Sequence, residues 1–169
     1  MFGGRSNKIR TAANQAFDAI EALCHPYMLS GALVDIVKSD PYVTGFLGTR
    51  IPSICVLASL EQGLDQNDTR EVIAEVLLKV YGNTSTYSEI NGIAKTLHES
   101  GNQRFQLGCE RGKKFMNYVQ HKEDITADPD FSEAMDTARN MGMSASDDMA
   151  VPLAGLDRLW FGSYMEQYL

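Results

Sequence analysis

The side chains able to hold a metal, move a proton or attack a carbonyl are few and scattered. Histidine occurs as His25, His98 and His121, and cysteine as Cys24, Cys55 and Cys109. A carboxylate-bridged diiron bundle needs Glu-x-x-His pairs, which put both ligands on one helix face. The residues three before the histidines are instead Ala22, Lys95 and Tyr118. His98-Glu99 does not open an H-E-x-x-H zinc site, because Asn102 stands where the second histidine belongs. Glu21 with His25, at i,i+4, and His121 with Asp124, at i,i+3, could each be half a metal site, although surface hydrogen bonds and ion pairs use the same spacings. His98 could also serve as an axial haem ligand. A histidine satisfying the carbonyls of its helix's last turn explains the position with no pocket at all. No metal and no cofactor are expected.

Nucleophilic chemistry has no better footing. Neither a G-x-S-x-G elbow nor an S-x-x-K motif occurs. Cys24 and His25 are neighbours in sequence, but adjacent helical residues point about 100° apart and do not form a dyad. Cys109 falls on an apolar helical stripe, where a thiol stays protonated. Asp128 and Asp130 read as a helix cap and a first-turn charge rather than as an acid–base pair. Phosphate-cradling loops of the GxGxxG or GxxxxGK type are missing. No catalytic residue is assigned.

Charge placement says more. Of 169 residues, 15 are basic and 22 acidic, a net charge of −7. Residues 83–122 hold six basic and three acidic side chains, whereas residues 123–169 hold two and ten. So acidic a chain does not attract nucleic acid through its overall field. On the helix expected over residues 102–121, Arg104, Arg111 and Lys114 share one broad face. They either pair with the acidic end of the same chain or form a site for an anion or an acidic partner. A second surface is aromatic. Trp160, Phe161, Tyr164 and Tyr168 crowd the last segment, which holds the only tryptophan. Its stripe of Leu153, Leu156, Trp160 and Tyr164 must dock, either on its own core with Trp160 as anchor or on a partner, where Trp and Tyr form hot spots.

Positioning these residues requires helices. Apolar residues make up 44% of the chain, enough for one domain, and recur at helical spacing almost throughout. Ile9, Ala13, Ala16, Ile20 and Leu23 form a first stripe that Pro26 should interrupt. Leu29, Leu33, Ile36 and Val37 form a second. Asp40-Pro41 reads as an N-cap and first helical residue, opening a short helix. A separate central helix follows over Ile51–Leu60. Asn67-Asp68 should cap a helix that Gly82 ends, and Thr86-Tyr87-Ser88-Glu89 is a capping-box pattern for one ending at Gly101. Phe105, Cys109, Gly112, Met116 and Val119 mark the next stripe, where Gly108 and Gly112 allow another backbone to approach closely. Asp128-Pro129 should start a helix with stripe Phe131, Ala134, Met135, Ala138 and Met141, stopped by Gly142. Residues 141–151 are expected to form a mobile connector and residues 152–168 a docking helix.

The expected fold is therefore all-α: one globular domain over residues 1–169, with seven or eight packed helices and no sheet. The N-terminus lacks the apolar core of a secretory signal, no run matches a membrane span, and the odd, isolated cysteines suit reduced thiols. These features favour a cytoplasmic protein. Function is expected from surfaces rather than from chemistry: a binding or regulatory module acting through protein–protein contacts. The alternative is a small-molecule-binding protein or enzyme with a pocket between helices, and self-association through the terminal helix is a third reading. A cavity lined by converging polar groups would distinguish the second from the first.

Overall fold

A computed structural model describes residues 3–120, 124–143 and 150–169. The fold is all-α. Among the described residues there are eight helices of seven residues or more and no strand: α1 (Gly3–Leu29), α2 (Leu33–Ser39), α3 (Pro41–Glu61), α4 (Gln66–Tyr81), α5 (Thr84–Glu99), α6 (Gln103–Gln120), α7 (Phe131–Asn140) and α8 (Ala150–Asp157). They group into two compact units, Met1–Lys113 and Lys114–Leu169.

In the first unit α1, α4, α5 and α2 pack around α3. The helix α3 is apolar on every side because it is central: Val43, Phe46, Leu47, Ile51 and Cys55 are all fully buried. By length and composition it is also the one helix among the described residues apolar enough to cross a bilayer, with 61% of that window buried inside the protein. It is a single 21-residue helix running through Pro52, not the expected short helix followed by a separate one from Ile51. Pro26 likewise lies inside α1, which turns by 94° into α2 only after Leu29. A mid-helix proline forfeits one hydrogen bond and costs roughly 3 kcal/mol. The buried residues beside each one, Cys24 and Tyr27 or Ile51 and Cys55, offset that cost through tertiary packing.

Several helix ends follow the local chemistry in the sequence. Asp40 caps α3, its Oδ1 accepting the Tyr42 and Val43 N–H groups at 2.8 and 3.4 Å, and Pro41 takes the first turn. Gly82 and Gly101 leave α4 and α5 at positive φ, where only glycine is unstrained. Other starts shift by a few residues. Asp65, not Asn67 or Asp68, caps α4 through the Asn67 and Asp68 N–H groups. Asn83 caps α5 through the Thr86 N–H, three residues before the expected box opens.

Glycines set the seam between α3 and α6. A Cβ on Gly45 would overlap the Phe105 carbonyl oxygen and lie 3.0 Å from the Cys109 nitrogen. From the other side, a Cβ on Gly108 would overlap the Tyr42 carbonyl oxygen and lie 2.8 Å from the Phe46 nitrogen. The close approach expected of Gly108 and Gly112 is thus made to α3 of the same chain.

In the second unit α7 packs on α8, with Ala134 and Ala138 fully buried. A Cβ on Gly155 would overlap the Ala134 carbonyl oxygen, so this crossing also runs backbone to backbone. The start of α7 falls at Phe131, two residues beyond Pro129, because Asp128 closes a turn onto the Asp130 N–H at 2.9 Å. Met141 ends α7 exposed rather than completing its apolar stripe. Beyond α8 the helix widens to π turns over Arg158–Gly162, then continues through Ser163–Met165. A π turn inserts one residue, so the stripe advances by one position. Leu156, Trp160, Phe161 and Met165 are buried, and Tyr164 is only partly so. Within the expected connector, residues 144–149 lie outside the described residues.

Candidate functional site

The residues singled out for their charge each have a partner inside the chain. Arg104 Nη2 lies 3.1 Å from Asp40 Oδ2, on the carboxylate that caps α3. Arg111 Nη1 reaches the Tyr42 hydroxyl at 3.4 Å, and its guanidinium stands 5.9 Å from the ring centroid. In the second unit Lys114 is ion-paired with the buried Asp128, with its ammonium 5.2 Å from the Trp160 ring centroid. The partnership expected with the acidic end of the chain is therefore made by Lys114. Arg104 and Arg111 use residues next to the start of α3 instead.

The aromatic residues divide by burial. Trp160 and Phe161 are buried, and the Trp160 indole N–H donates to Asp130 Oδ2 at 2.8 Å. This is the expected anchor, and the indole dipole has found the partner that a buried N–H requires. Tyr164 is half-buried, while Tyr168 is 38% exposed. His25 and His98 lie at the surface, and His121 lies outside the described residues. Among the described residues no three His, Cys, Asp or Glu side chains converge as a metal site would require.

The sequence did not locate a half-open cleft of about 210 Å3 in the first unit, between α3, α4, α5 and α6. Its floor is α3, through Thr44, Gly45, Gly48, Thr49 and Pro52. Ile73, Leu77 and Tyr81 of α4 form one wall. Tyr87, Ile90, Asn91 and Ala94 of α5 form another, and Phe105 and Cys109 of α6 close the end. The Tyr81 and Tyr87 rings stack at 6.5 Å. No Asp, Glu, Lys, Arg or His belongs to this lining.

The cleft is electrically neutral for physical reasons. Burial pushes the Tyr81 phenol well above its usual range, with further upward contributions from Cys24 and Tyr87. Partial burial also raises the Cys109 thiol, which Lys113 pulls partly back down. Both therefore stay protonated at neutral pH, and a protonated thiol is a poor nucleophile. Most hydroxyls on the floor are already engaged. Thr44 Oγ1 donates to a backbone carbonyl, lying 2.9 Å from the Asp40 oxygen. Thr49 Oγ1 sits 3.1–3.2 Å from the carbonyls of Gly45, Phe46 and Cys109.

One sequence signal for the cleft does exist. Gly48 and Pro52 are four apart on the same face of α3. A Cβ on Gly48 would meet nothing within 4 Å, so the space above it is open. Pro52 has no N–H to give the Gly48 carbonyl. At Gly48 the missing side chain leaves one face of α3 unpacked. No family model, no curated protein and no solved structure matches this chain.

Proposed function

We propose that this is a binding protein for a small, uncharged and largely apolar ligand, which the cleft between α3, α4, α5 and α6 receives. The cleft's size and neutral lining carry the proposal. An apolar cavity of about 150 Å3 accepts benzene, and drug-sized ligands occupy roughly 300 Å3 or more. At about 210 Å3 the cleft suits a single substituted ring or a short branched chain. A charged ligand would lose its hydration with no opposite charge to compensate, so neutral molecules are selected. A ligand of about ten heavy atoms binds weakly, with Kd of roughly tens of micromolar to millimolar.

The protein-contact reading has less to draw on. Two of its four aromatic candidates, Trp160 and Phe161, are buried, and Arg104, Arg111 and Lys114 are engaged within the chain. The converging groups that would favour an enzyme have no counterpart in the neutral cleft.

Titration of isotope-labelled protein with benzyl alcohol and with benzoate tests the proposal. Benzyl alcohol should shift the backbone amides of Gly45, Gly48 and Ala94, and benzoate should not. Gly48→Phe places a ring in the open space over the floor and should abolish the shifts. Equal response to both compounds, or an undiminished response in the Gly48→Phe protein, overturns it.

A further inference from the structure

The walls of the cleft are not equally held. Helices α4 and α5 both line it and both have 16 residues. Six residues of α4 are buried, whereas in α5 only Ile90 is. The apolar stripe of α5 is Tyr87, Ile90, Ile93, Ala94 and Leu97, and every member but Ile90 is half-buried. Tyr87, Ile90 and Ala94 of that stripe line the cleft, so the face that holds α5 to the core is turned in part onto open space. Both ends of the helix are short junctions. Gly82 and Gly101 stand there at φ of 83° and 64°, and a Cβ on either would meet nothing within 4 Å. Among the described residues one ion pair ties α5 to another helix: Lys38 Nζ of α2 lies 2.6 Å from Glu89 Oε2. Both side chains stand partly in solvent, and no lining residue comes from α2. Elements with few buried apolar residues are the ones that open before the rest of a fold.

We propose that α5 is the lid of the cleft, swinging as an intact helix about Gly82 and Gly101, with Lys38–Glu89 as its latch. The proposal rests on the cleft being a ligand site and adds how access to that site is regulated. Opening breaks the latch and lifts Tyr87, Ile90 and Ala94 away from the α3 floor. In the closed state a neutral ligand fills the space beneath those side chains and gives α5 the apolar contacts that the empty cleft denies it. Ligand and closure therefore favour each other, and the lid sets the rate of uptake and release. Because the latch is partly in solvent, salt weakens it and speeds opening.

Relaxation dispersion on methyl-labelled protein tests this, because it reads microsecond-to-millisecond motion of a helix that keeps its own hydrogen bonds. The methyls of Ile90, Ile93, Ala94 and Leu97 should show exchange, and those of Val72 and Val76, fully buried in α4, should not. Saturation with benzyl alcohol should quench the exchange. Glu89→Lys, at an exposed position that leaves the core untouched, should raise the open population by roughly two- to fivefold, the worth of one exposed ion pair. Adding Lys38→Glu restores opposite charges and should bring the population back. Methyls of α5 as free of exchange as those of Val72 and Val76, or an open population unmoved by Glu89→Lys, overturn the lid and leave the cleft reading standing. Exchange that persists under bound benzyl alcohol does the same. If benzyl alcohol shifts none of the Gly45, Gly48 and Ala94 amides, the cleft reading falls and the lid with it.

Discussion

Two glycines three residues apart in α3 should respond to the same substitution with opposite signs. Replacing glycine by alanine in a helix interior gains up to about 1 kcal/mol from backbone entropy. At Gly48 the new methyl enters open space, so Gly48→Ala should stabilise by about 0.5–1 kcal/mol. At Gly45 the methyl overlaps the Phe105 carbonyl oxygen and lies 3.1 Å from that residue's carbonyl carbon. Ordinary C···O contacts start near 3.3 Å, so α6 must retreat by about 1 Å along the seam. The obstacle is backbone on both sides and has no rotamer to change. An overpacking cost near the upper end of about 1–3 kcal/mol is therefore expected, leaving Gly45→Ala destabilised by about 2 kcal/mol. The two variants should differ by about 3 kcal/mol, or roughly 6–12 °C in melting midpoint. Far-ultraviolet circular dichroism through thermal and urea unfolding reads the difference, with an unchanged m-value showing that compactness is preserved. If Gly45→Ala is as stable as the natural chain, the α3–α6 seam is not a backbone contact.

Three further outcomes follow from the same structure. Gly155→Ala, whose methyl would overlap the Ala134 carbonyl oxygen, should loosen α7 from α8 at a cost of about 2 kcal/mol, seen as a red shift of Trp160 emission. Asp40→Ala removes the cap of α3 and the Arg104 pair together and should cost about 1–3 kcal/mol. Asp40→Asn should recover most of that, because an exposed arginine contributes little, and equal losses in the two variants would contradict the capping role. In alkylation by iodoacetamide at pH 8, partly exposed Cys109 should react first. Cys55, buried and pushed up to about 12, should stay unmodified until the chain unfolds, and prompt native labelling of Cys55 would refute its burial.

Much of the helical fold was legible because period and punctuation agree. Asp40-Pro41, Gly82, Gly101 and Gly142 each end or begin a helix through a local backbone preference, and local preferences act wherever the chain goes. The misread positions are those where tertiary packing overrules them. Pro26 and Pro52 look like breaks, yet each lies next to fully buried residues whose packing outweighs one lost hydrogen bond. The caps of α4 and α5 were misplaced by two and three residues, since Asp65 and Asn83 stand among several eligible Asp, Asn and Thr side chains. The π turns at Arg158–Gly162 have no sequence signature, so the regular helical spacing puts Tyr164 on the terminal stripe where the fold buries Met165. The cleft stayed hidden for a related reason. Its lining comes from four helices spread over residues 44–109, and no single helix shows a gap in its own pattern large enough to announce one.

The helix α3 nevertheless carries a physical reason for the cleft to lie where it does. Natural sequences keep local and tertiary preferences in agreement, and departures gather where function takes precedence. A central helix rich in Ile, Leu, Val and Phe should hold its best formers where it is most constrained. On one face it instead places Gly48, which costs up to about 1 kcal/mol relative to alanine, and Pro52, which costs roughly 3. Alanine at either position would relieve the cost without filling the cleft, so packing alone does not account for the pair. Pro52 withdraws its N–H from the hydrogen-bond ladder of α3, and Gly48 leaves the space above its own Cα open. The pair keeps the α3 side of the neutral cleft low, where a larger side chain would fill it.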